Sequence, residues 1–67
     1  MNGNDLKLSL IKDYMKKNNF TAEQFCEKSK IAKTDFNKLM VLDYDFSINV
    51  LIKLAMILNV ELYELFE

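Results

Sequence analysis

The stretch that decides the fold is Thr21–Leu39, TAEQFCEKSKIAKTDFNKL. It reads as two short helices joined by a tight turn. The first helix carries Phe25 and Cys26 on its apolar side. A four-residue break follows at Ser29, Lys30, Ile31 and Ala32. The second helix runs from Lys33 to about Met40. Residues three apart share a helix face, so Phe36 and Leu39 turn inward together. Lys33, Thr34, Asn37 and Lys38 then turn outward. This is the pattern of a helix-turn-helix, a unit that on DNA lays its second helix in the major groove.

The flanking residues extend the helical reading in both directions. Thr21 and Gln24 fit a capping box, in which hydroxyl and amide each satisfy an orphan backbone N–H. Phe20 and Phe25 stand where an apolar staple across that cap would place them. Upstream, a helix from Asp5 to Lys17 puts Leu8, Ile11 and Met15 on one face, with Leu10 and Tyr14 beside them. Asn18 and Asn19 end it, since Asn tolerates the left-handed conformation common just past a helix. Downstream, Val41–Phe46 is a connector. Ser47 is read as the cap of a helix carrying Ile48, Leu51, Leu54, Ala55 and Leu58 on its core face. Val60–Phe66 is read as a short last helix. No useful segment alternates with period two, so no strand is predicted. The expectation is an all-α, compact domain of five short helices, with residues 1–67 forming one unit.

Composition narrows the function classes. A chain of 67 residues buries only about 60% of its unfolded surface, which leaves room for one small core and no second ligand-binding domain. No apolar run approaches the roughly 20 residues needed to span a bilayer, and no secretion signal opens the chain, so a cytoplasmic location is expected. The single Cys26 allows no internal disulfide, and with no His a zinc site of the usual kind is not expected. The carboxylates show no catalytic arrangement. There is no Gly-rich phosphate loop and no Ser-based motif. An enzyme, a cofactor, a metal and a small-molecule ligand are all expected to be absent.

Charge is uneven along the chain. The net charge is −1, yet residues 16–38 hold six lysines (16, 17, 28, 30, 33 and 38) against Glu23, Glu27 and Asp35. Acids outnumber lysines elsewhere, and Glu61, Glu64 and Glu67 make the C-terminal end acidic. The basic part coincides with the two-helix unit. A local basic patch is the electrostatic footprint expected of a nucleic-acid binder. Lys33, Thr34, Asn37 and Lys38 are therefore candidates for base contact. Asn bonds adenine bidentately, Lys reaches guanine, and a Thr methyl meets thymine. Lys16, Lys17, Thr21, Lys28 and Lys30 are candidates for phosphate contact, Thr21 because backbone amides at a helix N-terminus favour an anion. The chain has no Arg, so guanine is not read by an Arg fork. Cys26 reads as a small core hydrophobe.

The order FTAEQFCEKSKIAKTDFNKLM…SINVLIKLAMILNVELYELF resembles the Cro/C1-type helix-turn-helix family, the lambda-repressor-like DNA-binding domains. The likeness runs from about Leu8 to Phe66. Phe25–Cys26 stands where the family has Leu-Ala, Ile31 at its turn Val or Ile, and Phe36 and Leu39 at the two inward positions of its recognition helix. Leu51, Leu54, Ala55, Leu58–Val60 and Leu65–Phe66 follow its last two helices. The resemblance implies a sequence-specific transcriptional regulator, a small repressor, that binds double-stranded DNA as a weak homodimer. Leu62, Tyr63 and Phe66 offer the apolar surface for that dimer.

Departures from the family pattern are equally specific. Lys30 replaces the usual turn Gly. Ala32 replaces the Ser or Thr cap of the recognition helix, and Leu42 replaces the Gly that follows it. The next loop reads Asp43-Tyr44-Asp45 where the family often carries a cation to a phosphate. Met15 and Met40 replace an Arg–Glu pair. These changes keep open an alternative from another class: a protein-interaction module of the same fold, antitoxin-like or anti-repressor-like, with DNA binding weak or lost.

Overall fold

The computed structural model describes residues 5–66. Four α-helices form among them: α1 Leu8–Asn18, α2 Ala22–Ser29, α3 Lys33–Met40 and α4 Ile48–Leu58. The chain closes with a 3-10 turn at Leu62–Leu65. α4 packs against α1, α2 and the closing turn, and α2 packs against α3. Among the described residues the buried interior is apolar apart from Ser29. Phe25, Ile11, Leu39, Leu54 and Leu65 are its largest fully buried side chains. An aromatic chain crosses it: Tyr14 lies 6.0 Å from both Phe20 and Phe25, and Phe25 lies 5.5 Å from Phe36. Tyr14 thus stands between the two rings read as a staple. Met15 and Met40 are half-buried and pack against the same core.

The all-α reading holds, with two corrections at the ends. α1 begins at Leu8, not Asp5, and the expected last helix over 60–66 is a single 3-10 turn. One long-range contact explains both. The Lys7 N–H donates to the Leu65 carbonyl at 2.7 Å, and Leu6 and Phe66 form an isolated antiparallel bridge. This pairing draws Leu6–Lys7 and Phe66 into extended backbone, which is incompatible with helix at either place. The Leu6 N–H also donates to the Tyr44 hydroxyl at 3.1 Å, tying this seam to the loop between α3 and α4.

Two local expectations also change. Ser29 is the last residue of α2 and is buried, so the break is Lys30–Ala32. Its hydroxyl accepts from the Ile31 N–H at 3.3 Å and donates to the Cys26 carbonyl at 3.4 Å. Ser47 stands at the N-cap of α4, but its side chain makes no capping bond. Ile48, predicted on the core face of α4, is 57% exposed, while Val50 is buried. α4 is apolar almost all round, with only Asn49 and Lys53 polar between Ile48 and Leu58. Periodicity cannot choose the inner face of such a helix.

All four helices end in left-handed backbone. Asn19, Lys30, Leu42 and Asn59 have φ of 60°, 66°, 58° and 58°. After α1, α3 and α4 the paired bonds of a Schellman motif form, as in Phe20 N–H to Met15 carbonyl (2.8 Å), Asp43 to Lys38 (2.9 Å) and Val60 to Ala55 (3.0 Å). α2 ends on the simpler single bond, Lys30 N–H to Cys26 carbonyl at 2.9 Å.

Candidate nucleic-acid interface

The α2–α3 unit forms over the predicted residues, with Ser29 in α2 and not in the turn. Thr21 and Gln24 make both bonds of the capping box. The Gln24 N–H donates to Thr21 Oγ1 at 3.1 Å, and the Thr21 N–H donates to Gln24 Oε1 at 2.9 Å. The Thr21 hydroxyl hydrogen remains a donor at the head of α2, where the helix dipole favours an anion. Lys16 and Lys17 are exposed in the last turn of α1, just upstream of that cap. α3 spans the predicted residues and starts at Ala32, which offers no side-chain acceptor. Asp35 in its first turn complements the dipole instead.

The structure sorts the predicted contact residues into groups. Lys33, Thr34 and Asn37 are exposed on α3. Lys38 is half-buried and fastened to the following loop. Its Nζ donates to the Asp45 carbonyl at 2.9 Å and lies 3.8 Å from Asp45 Oδ2. Asp43 Oδ1 accepts from the Asp45 N–H at 3.2 Å and shapes the same loop. The acidic loop therefore folds back over the C-terminal half of α3 and neutralises one of its own carboxylates.

Lys28 and Lys30 lie beside α4. They line a groove of about 310 Å³ with Ser29, Lys53, Met56 and Ile57. Lys53 Nζ donates to the Lys30 carbonyl at 3.1 Å, placing an ammonium at the negative end of α2. Lys28 lies about 200° around α2 from Cys26, and it is Cys26 that senses Lys33. The basic segment read as one patch thus has two sides, α3 and the α2–α4 seam. Lys53 was missed from sequence because it lies outside the basic run and is brought in only by the packing of α4 on α2.

Cys26 sits half-buried at the α2–α3 junction. Burial pushes its thiol up from the ordinary value of 9.0, the Lys33 ammonium pulls it down, and Glu23 pushes it up. A protonated thiol is inert, which suits the core reading. Among the described residues no group of His, Cys, Asp and Glu side chains could hold a metal ion, and no helix is long and apolar enough to cross a membrane.

The three residues predicted for a dimer separate. Tyr63 is 77% exposed and Leu62 38%, but Phe66 is half-buried on its own core. Leu62 instead lines a groove of about 400 Å³ with Ile52, Ala55, Met56, Asn59 and Val60 of the α4 region. The chain matches no family model, no curated protein and no solved structure.

Proposed function

We propose that this protein is a sequence-specific DNA-binding transcriptional regulator of the lambda-repressor-like kind, with α3 entering the major groove and two copies on a two-fold operator. The observation that carries the reading is the exposed row of Lys33, Thr34 and Asn37 on a helix joined by a three-residue turn to a capped α2. Asn37 and Thr34 suit base edges, Lys33 suits a base or a nearby phosphate, and Lys16, Lys17 and Thr21 suit the backbone. Two half-sites one DNA turn apart require recognition helices about 34 Å apart.

A salt titration on selected and random duplexes tests this. Lys33→Ala lowers the salt slope by about one unit, because each phosphate contact releases roughly one counterion. Asn37→Ala relaxes sequence preference with little change of slope. If the wild type binds no duplex even at low salt, the DNA reading fails. The alternative is then a protein-interaction module of the same fold. The observation favouring it is the loop of Asp43 and Asp45, whose carboxylates repel a phosphate backbone and whose contact with Lys38 occupies a predicted base reader.

A further inference from the structure

α4 is the one helix that carries apolar side chains well outside the core. Ile48 (57% exposed), Ile52 (43%) and Met56 (75%) recur every fourth residue and form one stripe. A helix apolar all round is a buried helix, and this one has a face that no described residue covers. The surroundings of the stripe say what fits. Met56 lines both of the grooves described above. On one side of it lie Ile57 and Lys53, with Lys28 and Lys30 behind. On the other lie Ile52, Ala55 and Asn59, with Val60 and Leu62 folded alongside. Leu62 and Tyr63 open the closing 3-10 turn between Glu61 and Glu64, and all four are exposed. The Glu61 N–H donates to Glu64 Oε2 at 3.1 Å, so the two acids occupy one tight turn. The left flank of the stripe is thus basic and the right flank acidic.

We propose that this face is a two-fold interface with a second copy of this chain, centred on Met56. A two-fold axis running along α4 above Met56 exchanges the two flanks. It carries the Glu61–Glu64 turn of one copy onto Lys53, Lys28 and Lys30 of the other, and the reverse contact forms at the same time. Ile52, Met56 and Leu62 meet in the middle. Such an isologous contact is closed by its own symmetry, so the product is a dimer and not a fibre. Opposite charges set its register, and the apolar centre supplies its affinity. Stable interfaces bury about 800 Å² on each partner. A centre of three or four side chains surrounded by charge sits at the weak end, so association is salt-sensitive and appears at high protein concentration. The inference deepens the two-copy part of the DNA reading without depending on DNA.

Sedimentation equilibrium of the full chain without DNA tests it, using charge reversal. Lys28→Glu, Lys30→Glu and Lys53→Glu combined in one variant make both flanks of each copy acidic, and Glu61→Lys with Glu64→Lys makes both basic. Each variant alone should dimerise at least about tenfold more weakly than wild type, because like charges then face each other. An equimolar mixture of the two should recover dimer, since both exchanged contacts are complementary again. Met56→Asp, at a site too exposed to unfold the domain, should abolish dimer in every background. A wild type that stays monomeric at high concentration overturns the inference. So does a mixture that associates no better than its components. A chain that binds duplex DNA as a monomer and never dimerises by this route removes the inference and leaves the proposed function standing. A chain that dimerises with charge-swap rescue but ignores DNA does the opposite.

Discussion

α3 and α4 end with the same backbone and are held in place by different means. α4 closes on Asn59 and α1 on Asn19, and Asn accepts left-handed geometry because its short side chain bonds locally. α3 is bracketed by Lys30 and Leu42 in that same geometry, at about 1–2 kcal/mol each for a residue with an ordinary Cβ. Like α1 and α4 it starts without a side-chain capping bond, and Ala32 offers no acceptor that could make one. The helix that presents the candidate base readers is therefore the one with least local support. Its hold on the domain comes from Phe36 and Leu39 in the core and from Lys38 on Asp45. The difference teaches that α1 and α4 are scaffold by sequence and α3 is helix by tertiary contact. Backbone strain of this kind collects where a surface is displayed for use.

The largest effect that can break this comparison comes from the core. Leu39 and Leu54 are both fully buried, and truncating either to Ala costs about 2–5 kcal/mol. Leu54→Ala should lower protection of all helices together. Leu39→Ala should first release α3, whose amides lose hydrogen-exchange protection ahead of those in α1 and α4. Uniform exchange in Leu39→Ala would mean that α3 is no weaker than the scaffold, and the comparison would be wrong.

Repairing the local defects of α3 sharpens the contrast at a smaller scale. Ala32→Ser should stabilise by about 1 kcal/mol by supplying the missing acceptor. Lys30→Gly should gain a similar amount, about 1 kcal/mol, by removing the Cβ at positive φ. The Lys30 carbonyl that receives Lys53 is kept in that variant. Each gain raises Tm by roughly 4–8 °C in a domain of this size. Asn59→Gly should change Tm far less, because Asn already suits its site. Leu42→Gly is expected near neutral, since relief of strain is offset by loss of a half-buried side chain packed on the core. Equal responses at Lys30 and Asn59 would show that the left-handed sites are equivalent.

Much of this was legible in the residues, and what was hidden has a common physical form. The capping box at Thr21, the bounds of α3, the left-handed Asn19 and the uncapped Ala32 are local features, fixed by neighbours within four positions. The start of α1 and the collapse of the last helix into one 3-10 turn depend on Lys7 meeting Leu65, a contact no window along the chain contains. The inner face of α4 was ambiguous because nearly all its residues are apolar. The same holds for the candidate site. Outward residues of α3 follow from spacing. The tethering of Lys38 by Asp45 and the gathering of Lys28, Lys30 and Lys53 follow only from how loops and helices return on each other.

Asp45→Asn probes that tether. The Lys38 side chain is 36% exposed and that of Asp45 90%, so the ion pair is screened and worth a few tenths of a kcal/mol at most, about 0.5 or less. The bond from Lys38 to the Asp45 carbonyl survives the change. Stability should barely move. Duplex affinity at low salt should rise, because one repelling carboxylate is gone and Lys38 is less neutralised. Unchanged affinity would place this loop away from any nucleic acid and favour the protein-partner reading.

The smallest effect lies at Cys26, where α2 meets α3. Burial is the first cause that raises its thiol above 9.0, with Lys33 opposing and Glu23 adding. The folded thiol therefore keeps its proton to higher pH than the unfolded one. Above the unfolded value the unfolded chain has released a proton that the folded chain still holds, so stability falls as pH rises. Below that value the contribution is fully present. Urea melts of wild type and Cys26→Ala at neutral pH and above pH 9 isolate the group, because every other titration is common to both. The stability advantage of wild type over Cys26→Ala should shrink on the alkaline side. Lys33→Ala removes the ammonium that pulls the thiol down, so it should deepen the alkaline loss when Cys26 is present and leave it unchanged when Cys26 is Ala. A pH profile identical in wild type and Cys26→Ala would mean that the thiol titrates as freely folded as unfolded, and that α3 does not shield it at this junction.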